Sequence, residues 1–533
     1  MRFLLINPFY SISETPSPPL GLAFLAGALE AAGVEVKLLD FVVYPYSKSF
    51  LSEALADFSP DIVGVTSVTM TFNHAIEIVK DVKHLRPDIT TIMGGPHVSF
   101  CPVETMDAFP ELDLIVLGEG EETLVELTCG IEKGKKTTNI PGLVYRQGSE
   151  IINNGFRKQL VDINRLPVPA RHLLPLGRYR ALGMAISMTT SRGCPFKCIF
   201  CVGRKMVGAK VRYRHPEKVV DEMEYLCSLD FPQINIADDL FTAKAEHAIG
   251  VCNEILKRHL QVKWTSFARV DTVTREVLSK MREAGCHTVS FGIESANAGI
   301  LKTIKKGITT DQVVRAAELC NDVGMIPHAS FILGLPGETP ETLEETIAFG
   351  ERLKSMGVYH GFHLLAPFPG TEVREKNDSY GIRILTNNWP EYHANRAIVE
   401  TASVSKKMLD ESVVDWEVEY NHVLDDIKRR IPLGEATEEE AWSLHNLERT
   451  VLIYNLMMAR SVEEKGTWKV DTLTDTPSIF QNKFLSDLSN RLSDISQYTP
   501  KDIYDALKYT MDRGNLIYRY ENGVVHWQWV DFL

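Results

Sequence analysis

Apolar and polar positions alternate along the first 130 residues in a pattern that is typical of an α/β fold. Short apolar runs, expected of buried parallel strands, are separated by stretches with helical spacing such as LGLAFLAGALEAAG and NHAIEIVKDVKHL. The apolar runs are RFLLIN, VEVKLLDF, DIVGVTSV, TTIMGGP and DLIVLGE. This alternation predicts a doubly wound, Rossmann-like sheet of five parallel strands over residues 1–130, with a ligand site beyond the carboxyl ends of the strands.

A second alternating series begins at Met184 and continues to about residue 400. Its predicted strands are AISMTTS, QINIADD, KWTSFARV, TVSFGIES, PHASFILG and HGFHLLAP, with helical stretches between them. Six βα units predict a partial (β/α)6 barrel over residues 184–400, again with its working face at the carboxyl ends of the strands. Residues 131–183 contain a hairpin pattern, and Pro167, Pro169 and Pro175 interrupt any long helix, so this range is predicted to form a structured linker.

The last stretch, residues 401–533, is predicted to be mainly helical. Thr437 and Glu440 form a capping box at the start of a helix, and Asn522 with Gly523 predicts the turn of a hairpin. The aromatic residues of this region either shape a substrate pocket at the barrel mouth or fill a helical core, and the sequence leaves both interpretations open. They are Trp416, Trp442, Tyr454, Trp527 and Trp529.

Composition and charge exclude several classes of protein. A chain of 533 residues is too long for one core, and a net charge of −13 argues against broad binding of nucleic acid. The apolar run at the amino terminus is too short for a signal peptide, and no run reaches the roughly 18 residues that a bilayer span needs. We therefore expect a cytoplasmic protein without a transmembrane segment.

Three of the nine cysteines stand together in SRGCPFKCIFC, directly after the first predicted barrel strand. Cys194, Cys198 and Cys201 have the spacing CxxxCxxC, and no fourth cysteine is nearby. Thiolates are the natural ligands of iron–sulfur clusters, and three of them leave one iron of a four-iron cluster open to another ligand. A zinc site of three cysteines and one histidine is the alternative, and it needs a separate histidine such as His215. The scattered cysteines are interpreted as buried apolar residues, namely Cys101, Cys129, Cys227, Cys252, Cys286 and Cys320.

The cysteine loop resembles the CxxxCxΦC hallmark of the radical SAM superfamily, with Phe200 at the hydrophobic position. The resemblance implies a 4Fe-4S cluster on the three cysteines, whose open iron binds S-adenosylmethionine (SAM). It also implies a 5′-deoxyadenosyl radical, formed when an electron donor such as flavodoxin or ferredoxin reduces the cluster. FGIESAN and the other strand ends resemble SAM-contacting motifs of that family. Together with Phe200 of the cysteine loop, they place the implied contacts at Asp239, Arg269, Glu294, Ser295, Gly334 and Leu365, with Arg269 facing the carboxylate.

The topology of the N-terminal sheet alone would allow a nucleotide, a flavin or a corrinoid. The segments PPLGLAFLAGALEAAG, GGPHVS and GEGEET before such a barrel resemble the cobalamin-binding domain of B12-dependent radical SAM enzymes, and the resemblance covers about residues 1–400. The DxHxxG motif, which supplies a histidine to cobalt in other B12 proteins, is absent, so His97 is expected to line the corrin rather than to bind cobalt. The residues that the resemblance places around cobalamin are Tyr10, Pro18, Gly21, Ser67, Thr69, Gly94, Gly95, His97, Gly118, Glu119, Gly120 and Glu121.

The two resemblances together imply an anaerobic enzyme, a cobalamin-dependent radical SAM methyltransferase that acts on an unactivated centre of a small molecule. The alternative within the class is an oxidative cyclase, hydroxylase or rearrangement enzyme, as in the anaerobic magnesium-protoporphyrin ester cyclase. A methylthiotransferase is disfavoured because the N-terminal region lacks its own three-cysteine cluster. A non-catalytic corrinoid or redox sensor is disfavoured because the ESAN and PGET stretches are retained. Small phosphonates, antibiotic intermediates, tetrapyrroles and lipids all stay open as substrates.

Overall fold

A computed structural model describes residues 1–10, 16–135, 137–159, 162–470 and 477–533. The structure contains two α/β layers, each of which is a parallel sheet together with its helices. The first layer is the doubly wound sheet that the alternation predicts, with the strand order β2-β1-β3-β4-β5 and parallel pairing throughout. Its strands are β1 (Arg2–Asn7), β2 (Glu35–Asp40), β3 (Ile62–Thr66), β4 (Thr90–Gly94) and β5 (Leu114–Val116). The helices on its two faces are α1 (Leu20–Ala31), α2 (Lys48–Phe58), α3 (Phe72–Leu85), α4 (Pro96–Phe100), α5 (Pro102–Ala108) and α6 (Glu121–Glu132).

The hairpin predicted inside the linker extends this sheet. Strand β6 (Leu143–Gln147) pairs antiparallel with β5, and β7 (Glu150–Asn153) pairs with β6, so the sheet has seven strands instead of five. The apolar positions Leu143 and Val144 are buried and complete the sheet edge. Part of the segment between the two alternating series therefore belongs to the N-terminal sheet, while the exact domain limits stay predictions.

The second layer is the predicted open barrel of six parallel strands, in the order β15-β14-β13-β12-β11-β8. Its strands are β8 (Ile186–Met188), β11 (Ile234–Ile236), β12 (Trp264–Ala268), β13 (Cys286–Glu294), β14 (Ile326–Leu333) and β15 (Tyr359–Leu364). A two-stranded ribbon, β9 (Ser191–Arg192) with β10 (Arg212–Tyr213), carries the start of the cysteine loop. The helices are α7 (Leu176–Ala181), α8 (Gly203–Val207), α9 (Pro216–Ser228), α10 (Ala245–Lys257), α11 (Arg275–Glu283), α12 (Ala298–Thr303), α13 (Thr310–Asp322) and α14 (Pro340–Ser355).

The C-terminal region is mainly helical, as predicted, and it adds a small antiparallel sheet of order β18-β20-β19. The capping box at Thr437 and the hairpin turn at Asn522 are both confirmed. The helices are α15 (Glu372–Glu375), α16 (Lys406–Arg430), α17 (Glu438–Met458), α18 (Ser461–Lys465), α19 (Pro477–Ser493) and α20 (Pro500–Asp512). The strands are β16 (Arg383–Ile384), β17 (Val399–Glu400), β18 (Thr467–Lys469), β19 (Leu516–Glu521) and β20 (Val524–Trp529).

Aromatic residues of the C-terminal region divide between core and surface. Trp527 and Trp529 are buried in a cluster with residues of α17, α19 and α20, and Tyr454 packs against that cluster. Trp442 is exposed, and the Trp416 side chain lies outside the described part of the structure. Trp527 and Trp529 therefore stabilise the C-terminal core. No helix among the described residues combines the length and the apolar composition needed to cross a bilayer.

Candidate functional site

The cysteine loop leaves β8 and is held by the end of the neighbouring strand β11. Buried Asp238 accepts hydrogen bonds from the amide and hydroxyl of Thr190, both at 2.6 Å, and from the hydroxyl of Ser191 at 2.7 Å. Burial raises the pKa of Asp238, and these donors act in the opposite direction. The next residue, Asp239, accepts the amide of Gly193 at 3.1 Å. Both aspartates of ADDLFT position the loop, and the contact of Asp239 with SAM stays a prediction.

Gly193 occupies a position in the loop that only glycine fits. Its φ is +117°, and a Cβ atom built there would lie 2.5 Å from the carbonyl oxygen of Lys210. The close approach arises because β9 and β10 pair at this point. The glycine beside the first cysteine therefore lets the loop turn against its own ribbon.

Burial and nearby cations act in opposite directions on the thiols of the cysteine loop. Burial raises the pKa of the Cys198 and Cys201 thiols, while the nearby Lys306 and Arg269 cations act to lower the pKa of Cys198. The amide of Gly203 donates to Cys201 Sγ at 3.3 Å, a hydrogen bond of the kind that tunes iron–sulfur clusters. Phe200 packs against the hydrophobic core beside the last cysteine. Three soft sulfur donors in this setting fit an iron–sulfur cluster.

The zinc alternative needs a histidine as a fourth ligand beside the three thiols. His215 is exposed at the start of α9, and its backbone amide donates to Asn164.

A buried ion pair stands at the end of β13, close to the thiols. Lys306 Nζ donates to Glu294 Oε1 at 2.7 Å, and both side chains are buried. Glu294 has a φ of +74°, where the pairing of β13 with β14 is irregular. The sequence predicted a role for Glu294 but not for Lys306, since a lysine in IKKG carries no pattern that points to the site.

Arg269 connects β12 to the cysteine loop. Its guanidinium lies 3.5 Å from the centroid of the Phe196 ring, which stands between the first two cysteines, and it donates to both carboxylate oxygens of Asp271 at 2.9 Å. A third bond of 2.7 Å reaches the carbonyl of Lys306. Arg269 thus positions the loop through stacking and hydrogen bonds, and its contact with the SAM carboxylate stays a prediction.

The remaining predicted SAM contacts lie at the ends of β13, β14 and β15, and protein partners already engage them. The hydroxyl of buried Ser295 lies 3.2 Å from the hydroxyl of Thr346. The amide of Gly334 donates to the carboxylate of Glu338, and the amide of Leu365 donates to the carbonyl of Leu333 at 2.9 Å. Burial raises the pKa of Glu338 to about 7. These contacts order the strand ends at which the predicted SAM contacts lie.

The N-terminal sheet offers a crevice where its strand order reverses. In the order β2-β1-β3-β4-β5, the reversal lies between β1 and β3, which is where ligands bind in sheets of this type. A cavity of about 310 Å³ opens beside the ends of these strands and is lined by Phe9, Pro45, Tyr46, His74, Glu77, Ile78 and Met458. Among the predicted residues near β1, Pro18 is buried, Tyr10 packs against the C-terminal core, and Gly21 is exposed in the first turn of α1.

The predicted cobalamin residues after β3 and β4 come together. The amide of His97 donates to the carbonyl of Ser67 at 3.2 Å, and its Nδ1 lies 3.3 Å from the hydroxyl of Thr69. Gly95, which follows Gly94, has a φ of +103°, and a Cβ there would lie 2.5 Å from the Ser67 carbonyl oxygen. Glycine at this position therefore lets the turn after β4 approach the backbone of Ser67 closely.

A side chain from beyond the barrel covers His97. The imidazole ring lies between Phe72, at a centroid distance of 4.2 Å, and Trp389, at 4.8 Å. Burial, with a contribution from Arg374, lowers the pKa of His97 to about 3, so the ring is neutral. Trp389 lies in a 3-10 turn of the segment after β15, and nothing in the periodicity of the sequence indicated this contact.

The loop after β5 carries the last predicted cobalamin residues, and two of them bind the barrel. Glu119 accepts from Arg192 at 3.2 Å and from Arg212 through two bonds of 2.9 Å, while Glu121 accepts from Arg192 at 2.8 Å. Gly118, before them, donates its amide to Ser99, and Gly120 precedes α6. These ion pairs connect the N-terminal sheet to the β9–β10 ribbon. The opposite charges of GEGEE and of the cysteine-loop ribbon were the signal that could have indicated them.

Comparison with known proteins agrees with this architecture. The profile of the B12 binding domain matches residues 13–128, and that of the radical SAM superfamily matches residues 188–350. An uncharacterized methyltransferase of Pyrococcus horikoshii is 36% identical over 399 residues, which cover 74% of this chain and 86% of the relative. The anaerobic magnesium-protoporphyrin IX monomethyl ester cyclase of Rubrivivax gelatinosus is 33% identical over 65% of each chain.

The fold also matches a solved structure over nearly the whole chain. The cobalamin-dependent SAM radical enzyme OxsB, determined with aqua-cobalamin and S-adenosylmethionine bound, superposes with a TM-score of 0.68 at 20% identity and covers 98% of this chain and 82% of its own. The match includes the C-terminal region, which lies beyond both family profiles. With the two profiles in this order, and with a relative that is 36% identical over most of its length, the chain belongs to the B12-binding radical SAM family.

Proposed function

We propose that this protein is a cobalamin-dependent radical SAM methyltransferase that methylates an unactivated centre of a small molecule. The single observation that carries the proposal is the direct connection between the two sites. The loop after β5 of the B12-binding domain is bound through Glu119 and Glu121 to the ribbon that begins the three-cysteine loop. A curated methyltransferase, 36% identical over 86% of its length, supports the reaction class.

The residues around the cysteine loop would hold the cluster and order its surroundings. Cys194, Cys198 and Cys201 would hold the cluster, and the amide of Gly203 would stabilise the third thiolate. When bound, the cluster and SAM supply a radical that abstracts hydrogen, and cobalamin supplies the methyl group. The buried pair of Glu294 and Lys306 keeps a fixed, mutually neutralised polar group at the strand end beside the cysteine loop.

The N-terminal residues would orient the corrin. Ser67 and Thr69 present carbonyl and hydroxyl groups at the end of β3, and Gly95 lets the next turn approach the Ser67 backbone closely. His97 would lie beside the corrin site with a neutral ring. It would not bind cobalt, because Phe72 and Trp389 cover the ring. The electron donor and the cytoplasmic location remain part of this proposal.

The test is anaerobic reconstitution with iron, sulfide, cobalamin and SAM, followed by addition of a low-potential reductant and a metabolite extract and by product analysis. A methyltransferase forms 5′-deoxyadenosine and S-adenosylhomocysteine together, and its product gains one methylene. Cys198→Ala is expected to reduce formation of both products to background, whereas Cys227→Ala, at an unclustered and partly buried cysteine on α9, should leave them unchanged.

The cyclase, hydroxylase and rearrangement alternative has a separate outcome. The similarity to the magnesium-protoporphyrin ester cyclase motivates it. Formation of 5′-deoxyadenosine without S-adenosylhomocysteine, together with a product that loses hydrogen or gains oxygen, would refute methylation and support this alternative.

A further inference from the structure

The barrel strands present one face to the helices and the other to the barrel interior. Phe331 of β14 packs against Phe349 of α14, and Ala329 and Leu333, on the same face of the strand, are buried in the same core. His328, Ser330 and Ile332, on the opposite face, are partly exposed and therefore face the interior. Strands β8, β11 and β12 show the same alternation, and β13 and β15 show it over part of their length. The partly exposed interior positions of the barrel strands include Ser187, Asn235, Thr265, Ser290, His328 and His363.

The interior wall carries almost no charge. The six barrel strands contain a single Asp, Glu, Lys or Arg residue, Glu294 at the end of β13, and it is neutralised by Lys306 at 2.7 Å. Below that rim, the wall consists of hydroxyl, amide and imidazole groups. An anionic substrate would therefore lose its hydration without gaining a countercharge from the strands.

Several of these polar groups have no partner within the described protein. Asn235 Oδ1 accepts from Gln233 at 2.6 Å and from Thr265 at 2.8 Å, which orients the side chain, while its Nδ2 group donates to no described residue. Ser290 and His363 likewise make no side-chain hydrogen bond to any residue that the structure describes. Burial, with contributions from His363 and His360, lowers the pKa of His328, so its imidazole is neutral at physiological pH.

One aromatic ring stands among these polar groups. Phe267 of β12 is 56% exposed, although it lies on a central strand of the barrel, and its register partner on β13 is Ser290. Ser290 in turn pairs with His328 on β14. An aromatic ring next to a row of neutral donors and acceptors combines a stacking surface with hydrogen-bonding groups.

We propose that the barrel interior is a binding site for an uncharged small molecule that stacks a flat ring on Phe267 and hydrogen-bonds to Asn235 and Ser290. The proposal rests on the proposed function, since it names the substrate class of that site. A tetrapyrrole with free carboxylates or a phosphonate would lack a countercharge on this wall, and a lipid would leave its polar groups unpaired.

The test uses two probes of the same shape and different charge, benzamide and benzoate. The holoenzyme is saturated with S-adenosylhomocysteine, which occupies the SAM site, and binding is measured by ligand-observed NMR. Benzamide is expected to bind at least about tenfold more tightly than benzoate. Phe267→Ala should raise the dissociation constant of benzamide about tenfold, and Asn235→Ala should raise it as well.

The matched control is Phe532→Ala, because Phe532 is 58% exposed, like Phe267, but lies at the C-terminus. This variant should leave benzamide binding unchanged. Three results would overturn the proposal. They are equal affinities for benzoate and benzamide, an affinity for benzamide that Phe267→Ala does not change, and no binding of either probe. Cleavage of SAM to 5′-deoxyadenosine is measured on a separate portion of the same holoenzyme, with a reductant and without S-adenosylhomocysteine. If cleavage is absent while benzamide binds as expected, the proposed function fails and the binding site stands.

Discussion

At the scale of single residues, Gly292 is the position on which the buried pair of Glu294 and Lys306 depends. A Cβ at Gly292 would lie 2.5 Å from Glu294 Oε1 and 3.0 Å from Lys306 Nζ. Gly292→Ala should therefore separate the two charges inside the protein and lower the free energy of unfolding by about 3 kcal/mol, a cost typical of a broken buried ion pair. Thermal unfolding measures this loss.

Gly361 provides the control for this substitution. It lies on β15 in the same barrel, and a Cβ there meets no atom within 4 Å. Gly361→Ala should leave the unfolding temperature nearly unchanged. Equal losses in the two variants would mean that any added methyl group in the barrel has this effect and that the ion pair is not responsible.

His97 predicts an acid-dependent stability. With a pKa of about 3, the folded imidazole stays neutral, whereas the unfolded one takes up a proton below its ordinary value of 6.5. The contribution of His97 is therefore present above pH 6.5 and is lost as the pH falls from 6.5 towards 3. His97→Phe removes this proton uptake, so its unfolding temperature should fall less steeply in that window than that of the wild type.

The comparison uses slopes because His97→Phe also loses the contact with Thr69 at every pH. Burial raises the pKa of Asp40 to about 6. Asp40 titrates in both proteins, so its effect on the difference between the two slopes cancels. Parallel profiles of the apoproteins between pH 6.5 and pH 4 would contradict the prediction.

At the scale of elements, the β9–β10 ribbon and the cysteine loop form one unit that Gly193 makes possible. In Gly193→Ala, the new methyl group would press against the Lys210 carbonyl and displace the loop from Asp239. We expect this variant to incorporate less than about a tenth of the wild-type cluster iron, since a displacement near 1 Å disrupts a metal site. Iron content and the absorbance of the reconstituted protein measure it.

Gly134→Ala is the control that distinguishes the effect of a positive φ from the effect of a steric clash. Gly134 also has a positive φ, 58°, but a Cβ there meets no atom within 4 Å. It should retain full iron content. If Gly193→Ala also retains the cluster, the ribbon does not hold the cysteine loop in place.

At the scale of the whole molecule, Glu119 connects the two α/β layers. Its carboxylate is 15% exposed and bonds to both Arg192 and Arg212, so Glu119→Gln leaves two largely buried cations without their shared partner. We expect a loss of about 3 kcal/mol in stability and faster proteolysis between residues 131 and 183, because the layers separate more easily. Asp88→Asn removes an exposed partner of Arg86 and should change neither property.

The alternation of apolar positions was sufficient to predict both sheets and all eleven parallel strands, because strand and helix periods are local properties. It did not predict that the hairpin at Leu143 would join the N-terminal sheet, since this pairing depends on which edge strand of the sheet is left unpaired. The cysteine trio was equally evident, because its three ligands lie within eight consecutive residues.

The sequence by itself therefore determined the order of the elements, the class of the two α/β layers and the three cysteines predicted to bind the cluster. Only the tertiary structure decided the partners of the site residues: Arg192 and Arg212 for Glu119, Trp389 for His97, and Lys306 for Glu294. Glu119 and its arginines are 73 and 93 residues apart. Contacts between such distant residues depend on how the layers pack, and no local period of the chain records that arrangement.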